Sequence, residues 1–118
     1  MTSAHRIDAY EFGRVVIRGM EYRADIIILP DRIVDSWWRK KGHRLSPEDV
    51  AVVVAAAPAI LVVGTGAYGM VEVPEETRAL LAGNGIPVEI YPTMPAVTRY
   101  NELCEKGERV AAALHLTC

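Results

Sequence analysis

Three glycines in the middle of the chain have a spacing that could serve phosphate chemistry. Gly64, Gly66 and Gly69 fit the pattern G-x-G-x-x-G directly after the apolar residues 60–63. In dinucleotide-binding proteins, such glycines let the turn between a strand and a helix approach a pyrophosphate, and an acid about 20 residues further on binds the ribose. Glu89 lies at that distance from Gly69. A dinucleotide site is therefore the first hypothesis to weigh.

The residues around this loop argue against a nucleotide. No lysine or arginine occurs between residues 45 and 77, and three glutamates lie where the next helix should begin, Glu72, Glu75 and Glu76. Met70 and Val71 stand where a phosphate-binding P-loop has Lys followed by Ser or Thr. Because a pyrophosphate would meet carboxylates without a cation, we expect NAD, FAD and ATP to bind weakly or not at all, and we predict no cofactor.

The same loop suits a pocket for a smaller ligand. Ligands of α/β sheets usually bind beyond the carboxyl ends of parallel strands, where residues 64–69 should meet Thr93. Alternatively, the glycines serve only tight turns and close packing, and Asn101 bonds a buried partner instead of facing a pocket. The candidate ligand-binding residues are Gly64, Thr65, Gly66, Ala67, Tyr68, Thr93 and Asn101.

A thiol and an imidazole lie close together at the end of the sequence. If the last strand is parallel to its neighbours, His115 and Cys118 approach the glycine loop, and a Cys–His pair could make a nucleophile. The alternative is that His115 is a hydrogen-bonded buried histidine and that Cys118 is merely the last residue. The two cysteines, Cys104 and Cys118, lack the spacing of metal ligands, so no metal site is predicted.

A basic and aromatic stretch, SWWRKKGHR, occupies residues 36–44. Interleaved bases and aromatics can bind single-stranded nucleic acid by stacking and phosphate contact, but the rest of the chain offers no extended basic surface. We therefore expect no nucleic-acid partner. The stretch is either a loop whose tryptophans cap the core or a surface for a protein partner, since Trp and Arg are frequent anchors of interfaces. The partner-surface candidates are Trp37, Trp38, Arg39, Lys40 and His43.

Length and composition indicate one globular domain over residues 1–118. Apolar residues make up 51%, charged residues 24%, and the net charge is −2, which is too small to attract a polyanion. No apolar run reaches the roughly 18 residues of a membrane helix, and the first residues lack the pattern of a signal or transit peptide. We expect a cytoplasmic protein with reduced thiols and no membrane contact.

The order of elements predicts an α/β fold. Strands are expected at residues 12–17, 22–29, 60–63, 86–91 and 110–116, with a short extra strand within residues 32–35. Helices are expected to begin near Pro47, Pro74 and Met94. Strands that alternate with helices imply β-α-β units with mainly parallel neighbours, and an N-terminal β-hairpin makes the central sheet mixed. Residues 60–63, ILVV, have no polar face, so we predict an interior strand.

Four segments together resemble one family of small domains: FGRVVIRGMEYRADIII, VVGTGAYG, TMPAVTRYNEL and RVAAALHLTC. The family includes the adipogenesis-associated Mth-domain protein and a mitochondrial complex I assembly factor, with many bacterial and archaeal members of unknown function. The resemblance implies a compact three-layer α/β domain with a mixed sheet. It supplies no catalytic residues, and the characterised relatives look like assembly or interaction factors. Without a mitochondrial leader, the organellar role is not expected here.

These observations favour an uncharacterised binding or assembly module without catalytic activity. The alternative is a small-molecule-binding protein or enzyme with its pocket at residues 64–69, and the weakest hypothesis is a nucleotide-dependent enzyme. The expected partner is a protein or a small molecule, and a homo-oligomer is also considered.

Overall fold

A computed structural model describes residues 5–39 and 42–118 of the chain. The described chain begins with a three-stranded antiparallel sheet, formed by β1 (Ile7–Glu11), β2 (Arg14–Ile17) and β3 (Met20–Tyr22) in that order. Gly13 and Gly19 both have a φ of 77°, which suits the tight turns between these strands.

A second, five-stranded sheet follows and forms the centre of the fold. Its strands are β4 (Ile26–Ile28), β5 (Ile33–Val34), β6 (Ile60–Gly64), β7 (Val88–Tyr91) and β8 (Val110–Leu114). The spatial order is β5-β4-β8-β6-β7, with β6 parallel to β7 and β8, and β4 antiparallel to β8. The predicted mixed sheet is confirmed, and the ILVV segment lies inside it as expected.

The helices begin close to the positions that the prolines and caps predict. A short 3-10 helix at Pro47–Val50 runs directly into α1 (Ala51–Ala56), and the others are α2 (Glu75–Gly83) and α3 (Thr93–Glu105). At the start of the 3-10 helix, the Ser46 backbone N–H donates to the Asp49 carboxylate at 2.8 Å. This bond gives a partner to an N–H that has none within the helix.

Apolar side chains cover both faces of the central sheet, which gives three layers. On one face, α3 and the antiparallel sheet bury a cluster that contains Ile17, Val62 and Tyr100. On the other, α1 and α2 bury a cluster that contains Val53 and Leu81. The three-layer α/β architecture that the sequence resemblance implies is therefore present.

The N-terminal strands differ from the prediction in three ways. The strand at Ile7–Glu11 was missed, Phe12 lies in the turn before β2, and the predicted strand at residues 22–29 is two strands in different sheets. The break falls at residues 23–25, because Asp25 turns its carboxylate toward the last strand instead of continuing a ladder. The central sheet is mixed because β4 is antiparallel to β8, whereas the hairpin strands β1 and β2 belong to the other sheet.

Candidate functional site

The glycine loop is packed against the last residues of the chain. The His115 amide donates to the Gly64 carbonyl at 3.0 Å, and the Ala67 amide donates to the Thr117 carbonyl at 2.6 Å. A Cβ atom on Gly66 would lie 2.5 Å from the Cys118 carbonyl oxygen, and Gly66 has a φ of 106°. Glycine is required here because two backbone segments approach each other more closely than any side chain permits.

Thr93 locks the same loop from the start of α3. Its hydroxyl accepts the Gly66 amide at 2.8 Å and donates to the His115 carbonyl at 2.6 Å. The Thr93 amide in turn donates to the Gly66 carbonyl at 3.0 Å. The Thr93 N–H at the start of this helix is thus used inside the protein and is not open to a ligand.

This packing corrects the predicted location of an open pocket. Gly64, Thr65, Gly66 and Thr93 are buried, and the amides of residues 65–67 and 69–71 all have partners within the protein. The space is filled by residues 115–118, not by Tyr68, which is 75% exposed.

Two of the predicted ligand-binding residues, Ala67 and Asn101, lie in surroundings that differ from those of the buried residues above. Ala67 is half-buried within the closed loop. Asn101 lies apart from the loop, and its amide group pairs with both the N–H and the carbonyl of Ile7 at 2.9 Å. A ligand-binding role for the seven residues stays a prediction, but the geometry does not bring them together around a cavity.

A polar cluster occupies the adjacent part of the same edge. The Asp25 carboxylate accepts the Leu116 amide at 2.8 Å, and its Oδ2 lies 2.7 Å from both His115 Nδ1 and Arg39 Nη1. The Arg39 side chain is only 7% exposed. Burial alone would raise the pKa of Asp25, but hydrogen bonds from His115, Leu116 and Arg39 outweigh it and hold that pKa below its ordinary value. Asp25 is therefore an anion at neutral pH.

The Asp25 carboxylate also determines how the His115 ring is protonated. Arg39 Nη2 lies 3.1 Å from His115 Nδ1, farther than the carboxylate oxygen at 2.7 Å. An unprotonated Nδ1 would place its lone pair against an ionised carboxylate, so Nδ1 carries the proton and donates it to Asp25. The Nε2 atom, on the opposite side of the ring, lies 3.4 Å from the Thr117 hydroxyl oxygen.

Two further chemical groups lie beside that ring. His43 packs edge-on against His115, with ring centroids 5.6 Å apart. Cys118 Sγ lies 3.9 Å from His43 Nε2. His115 and Cys118 do approach the glycine loop, because β8 is parallel to β6, and the question left open by the sequence is answered.

A cavity of about 370 Å³ opens next to this cluster. Asp25 and His115 line it from the sheet edge, and Trp37, Trp38 and Arg39 line it from the basic and aromatic stretch. Trp37 is anchored by a hydrogen bond from Nε1 to the Asp49 carbonyl at 3.2 Å, and the Arg39 guanidinium stacks on its ring at 5.2 Å. Trp37 and Arg39 are thus held in place at the wall of the cavity, whereas Trp38 is exposed.

The partner-surface candidates therefore separate into different roles. Trp37 is partly buried against the core, as the alternative interpretation held, and Arg39 belongs to the polar cluster. Trp38 is 86% exposed, and His43 is exposed. Lys40 lies outside the described residues.

The acid proposed for a ribose is already engaged. Glu89 accepts two hydrogen bonds from Arg99, at 2.8 and 3.2 Å, and one from the Tyr91 hydroxyl at 2.7 Å. The Arg99 bonds, followed by the Tyr91 bond, lower the pKa of Glu89. This side chain joins β7 to α3 and needs no ligand to satisfy it.

Sequence reasoning missed Asp25 altogether. The sequence pattern that could have indicated it is a single acid directly before the apolar run of β4. A carboxylate next to a buried strand needs hydrogen-bond partners. Those partners are 14 and 90 residues away in the chain.

Comparison with known proteins identifies the family. Residues 7–115 match the proteins of unknown function called DUF498/DUF598. The chain belongs to this family. No curated protein is significantly similar to it. In the part of the chain that the structure describes, no helix has the length and apolar character needed to cross a bilayer.

Several solved structures share the fold over nearly their whole length. The hypothetical protein PH1505 of Pyrococcus horikoshii is 33% identical, with 95% of this chain and 98% of that one covered and a TM-score of 0.83. A Bartonella henselae protein described as an outer membrane protein is 29% identical over the full length of both chains, with a TM-score of 0.85.

A third solved structure is described by a domain name. A Bordetella pertussis protein described as a Mth938-like domain is 25% identical, with 98% of this chain and 88% of that one covered and a TM-score of 0.70. The sequence-based resemblance is confirmed at the level of a small-domain family of unknown function.

Proposed function

We propose that this protein is a non-catalytic binding module that contacts another protein with the face around its glycine loop. Four large apolar side chains are more than half exposed there and form what we call the apolar rim: Phe12, Tyr68, Met70 and Met94. The rings of Phe12 and Tyr68 lie 6.3 Å apart. Exposed apolar side chains that cluster in this way are the observation that carries the proposal, since such patches typically mark interaction sites.

The backbone beneath the rim is held in place. The Gly69 amide donates to the Gly66 carbonyl at 3.1 Å, and the Met70 amide donates to the Cys118 carbonyl at 3.3 Å. Side chains on a fixed backbone lose less conformational entropy when a partner covers them, so more of the apolar contact energy appears as affinity.

Two of the three chain segments that carry the rim lack charged residues, whereas Phe12 lies between Glu11 and Arg14. Residues 58–71 and 90–98 contain no Asp, Glu, Lys or Arg. The centres of protein interfaces are depleted in charged residues and enriched in aromatics and methionine, as this face is. The resemblance to assembly or interaction factors supports the same role, and the cytoplasmic location expected from the sequence belongs to this proposal.

The experiment compares rim and control variants produced at the natural level in the source cells. Tyr68→Ser with Met94→Ser removes two rim side chains, whereas Met20→Ser removes a side chain that is 60% exposed on the antiparallel sheet. We expect a partner protein to co-purify in equal amounts with the wild type and with Met20→Ser. The amount recovered with the rim variant should be at least about tenfold lower, because the loss of central anchors weakens an interface to this extent. Equal recovery with all three proteins, or no specific partner with any, would overturn the proposal.

The cavity beside Trp37 and Trp38 supports a second candidate function, small-molecule binding. Its volume of about 370 Å³ falls in the range of ligand sites, and a few polar groups converge on an apolar lining as such sites require. A compound that quenches tryptophan fluorescence in the wild type but not in Trp38→Ala would favour this function over protein binding.

A further inference from the structure

We propose that His43, His115 and Cys118 form a binding site for Zn²⁺, an inference that goes beyond the proposed protein-binding role. One ligand atom from each residue lies within 4.8 Å of the other two. Two imidazoles and a thiolate are a donor set that Zn²⁺ prefers and that Mg²⁺ and Ca²⁺ do not.

One of the three donor-atom distances is close to that of a tetrahedral site, and all three are within 4.8 Å. With Zn–S near 2.3 Å and Zn–N near 2.0–2.1 Å, the sulfur and nitrogen ligands of a tetrahedral ion are about 3.6 Å apart. Cys118 Sγ and His43 Nε2 are 3.9 Å apart. A small rotation of the exposed His43 ring closes the difference without moving the core.

The protonation of His115 already suits a metal ligand. Its Nδ1–H donates to Asp25 at 2.7 Å, which leaves Nε2, 3.4 Å from the Thr117 hydroxyl oxygen, as the ring atom that can bind a metal. Ligating histidines generally donate their other ring N–H to a carboxylate or carbonyl, which fixes the ring and raises its basicity. Arg39 holds Asp25 at 2.7 Å and so steadies this positioning residue.

The other two ligands are tethered through their backbones. The Glu72 amide donates to the His43 carbonyl at 2.8 Å, and the Met70 amide donates to the Cys118 carbonyl at 3.3 Å. Residues 70–72 therefore hold both ligands next to each other, although the two lie 75 residues apart in the sequence.

Three protein ligands leave one coordination position for water or a bound molecule. His115 is shared between the cluster and the cavity that Trp37 and Trp38 line. The cavity lies on the side of the His115 ring that faces Asp25 and Arg39, and His43 and Cys118 do not line it. When Zn²⁺ binds, the Cys118 thiol releases its proton to solvent and becomes the thiolate ligand.

The test uses untagged, chelator-treated protein and Co²⁺ as a spectroscopic substitute for Zn²⁺. One equivalent of Co²⁺ should give visible d–d bands of a tetrahedral site and a thiolate-to-cobalt charge-transfer band, and Zn²⁺ should abolish both by displacement. Cys118→Ser should lose the charge-transfer band, whereas Cys104→Ala should keep it.

A second pair of variants separates metal ligation from folding. His43 is exposed, so His43→Ala should fold normally by circular dichroism and still bind Co²⁺ at least about tenfold more weakly. His5→Ala is the matched histidine control and should bind as the wild type does. Asp25→Asn should weaken binding by about 10- to 100-fold, the usual effect of removing an outer partner. Absence of the thiolate band at one equivalent of Co²⁺, or affinity unchanged in His43→Ala, would overturn the proposal.

Discussion

At the scale of single residues, Gly66 shows how one missing side chain sets the geometry of the site. Its positive φ and its contact with the backbone of residue 118 leave no space for a Cβ atom. The same contact brings the last residues of the chain onto the glycine loop and places His115 and Cys118 beside His43. The glycine thus acts through backbone packing, and not through a phosphate as its motif suggested.

We predict that Gly66→Ala lowers the free energy of unfolding by more than about 2 kcal/mol, because it adds both backbone strain and a steric clash. The measurement is urea denaturation. Gly83→Ala is the control, since a Cβ there meets nothing within 4 Å and lies at the end of α2. That variant should be neutral or stabilised by up to about 1 kcal/mol. Equal stability of the two variants would contradict the close approach at Gly66.

At the scale of elements, one ion pair connects β7 to α3. Glu89 on β7 bonds Arg99 on α3, and both side chains are about one quarter to one third exposed. This contact helps to hold the start of α3, and hence Thr93, against the glycine loop. The pair therefore supports the site from a distance.

The lowered pKa of Glu89 gives a pH-dependent contribution to stability with a definite sign. Arg99 and then Tyr91 lower this pKa below the ordinary value of 4.5. The folded form therefore holds the anion more strongly than the unfolded form does, and the contribution is fully present above pH 4.5 and is lost as the pH falls through the folded pKa. We expect Glu89→Gln to lower the melting temperature at pH 7 and to have a smaller effect in strong acid. In a protein that already carries Arg99→Gln, Glu89→Gln should lower the melting temperature much less. An equal drop in that background would show that the Glu89–Arg99 ion pair does not cause the stabilisation.

At the scale of the whole molecule, β6 belongs to both hydrophobic cores. Val62 faces the core under α3, and Val63 faces the core under α1 and α2. The strand lies between β8 and β7. The loop that β6 leads into therefore rests on the most enclosed part of the fold.

We predict that Val62→Ala and Val63→Ala each lower the free energy of unfolding by about 1–3 kcal/mol. Because the two cores share one sheet, the molecule should still unfold in a single transition. Tryptophan fluorescence reports the side of α1, where Trp37 packs, and circular dichroism reports the whole fold. Separate midpoints for the two signals in either variant would show that the cores unfold independently.

Much of the fold is determined by local sequence. The apolar run at residues 60–63 has no polar face, and Pro47 and Pro74 mark helix starts by their fixed backbone angle. These signals predicted the interior strand, the helix starts and the parallel β-α-β arrangement, since each depends on a few adjacent residues. The predicted strand at residues 22–29 is divided at residues 23–25, where the Asp25 carboxylate bonds partners far along the chain.

The site was decided by tertiary structure alone. The contact of Asp25 with His115 spans 90 residues, and that of His43 with Cys118 spans 75. No local spacing relates such pairs, because their proximity follows from the pairing of β4 with β8 and from the path of the last residues over the glycine loop. Local sequence determined the interior strand and the helix starts, and it showed which residues carry reactive groups, but it did not determine the N-terminal strands. Only the packed fold determined that the predicted pocket is closed and that an aspartate, two histidines and a cysteine meet beside it.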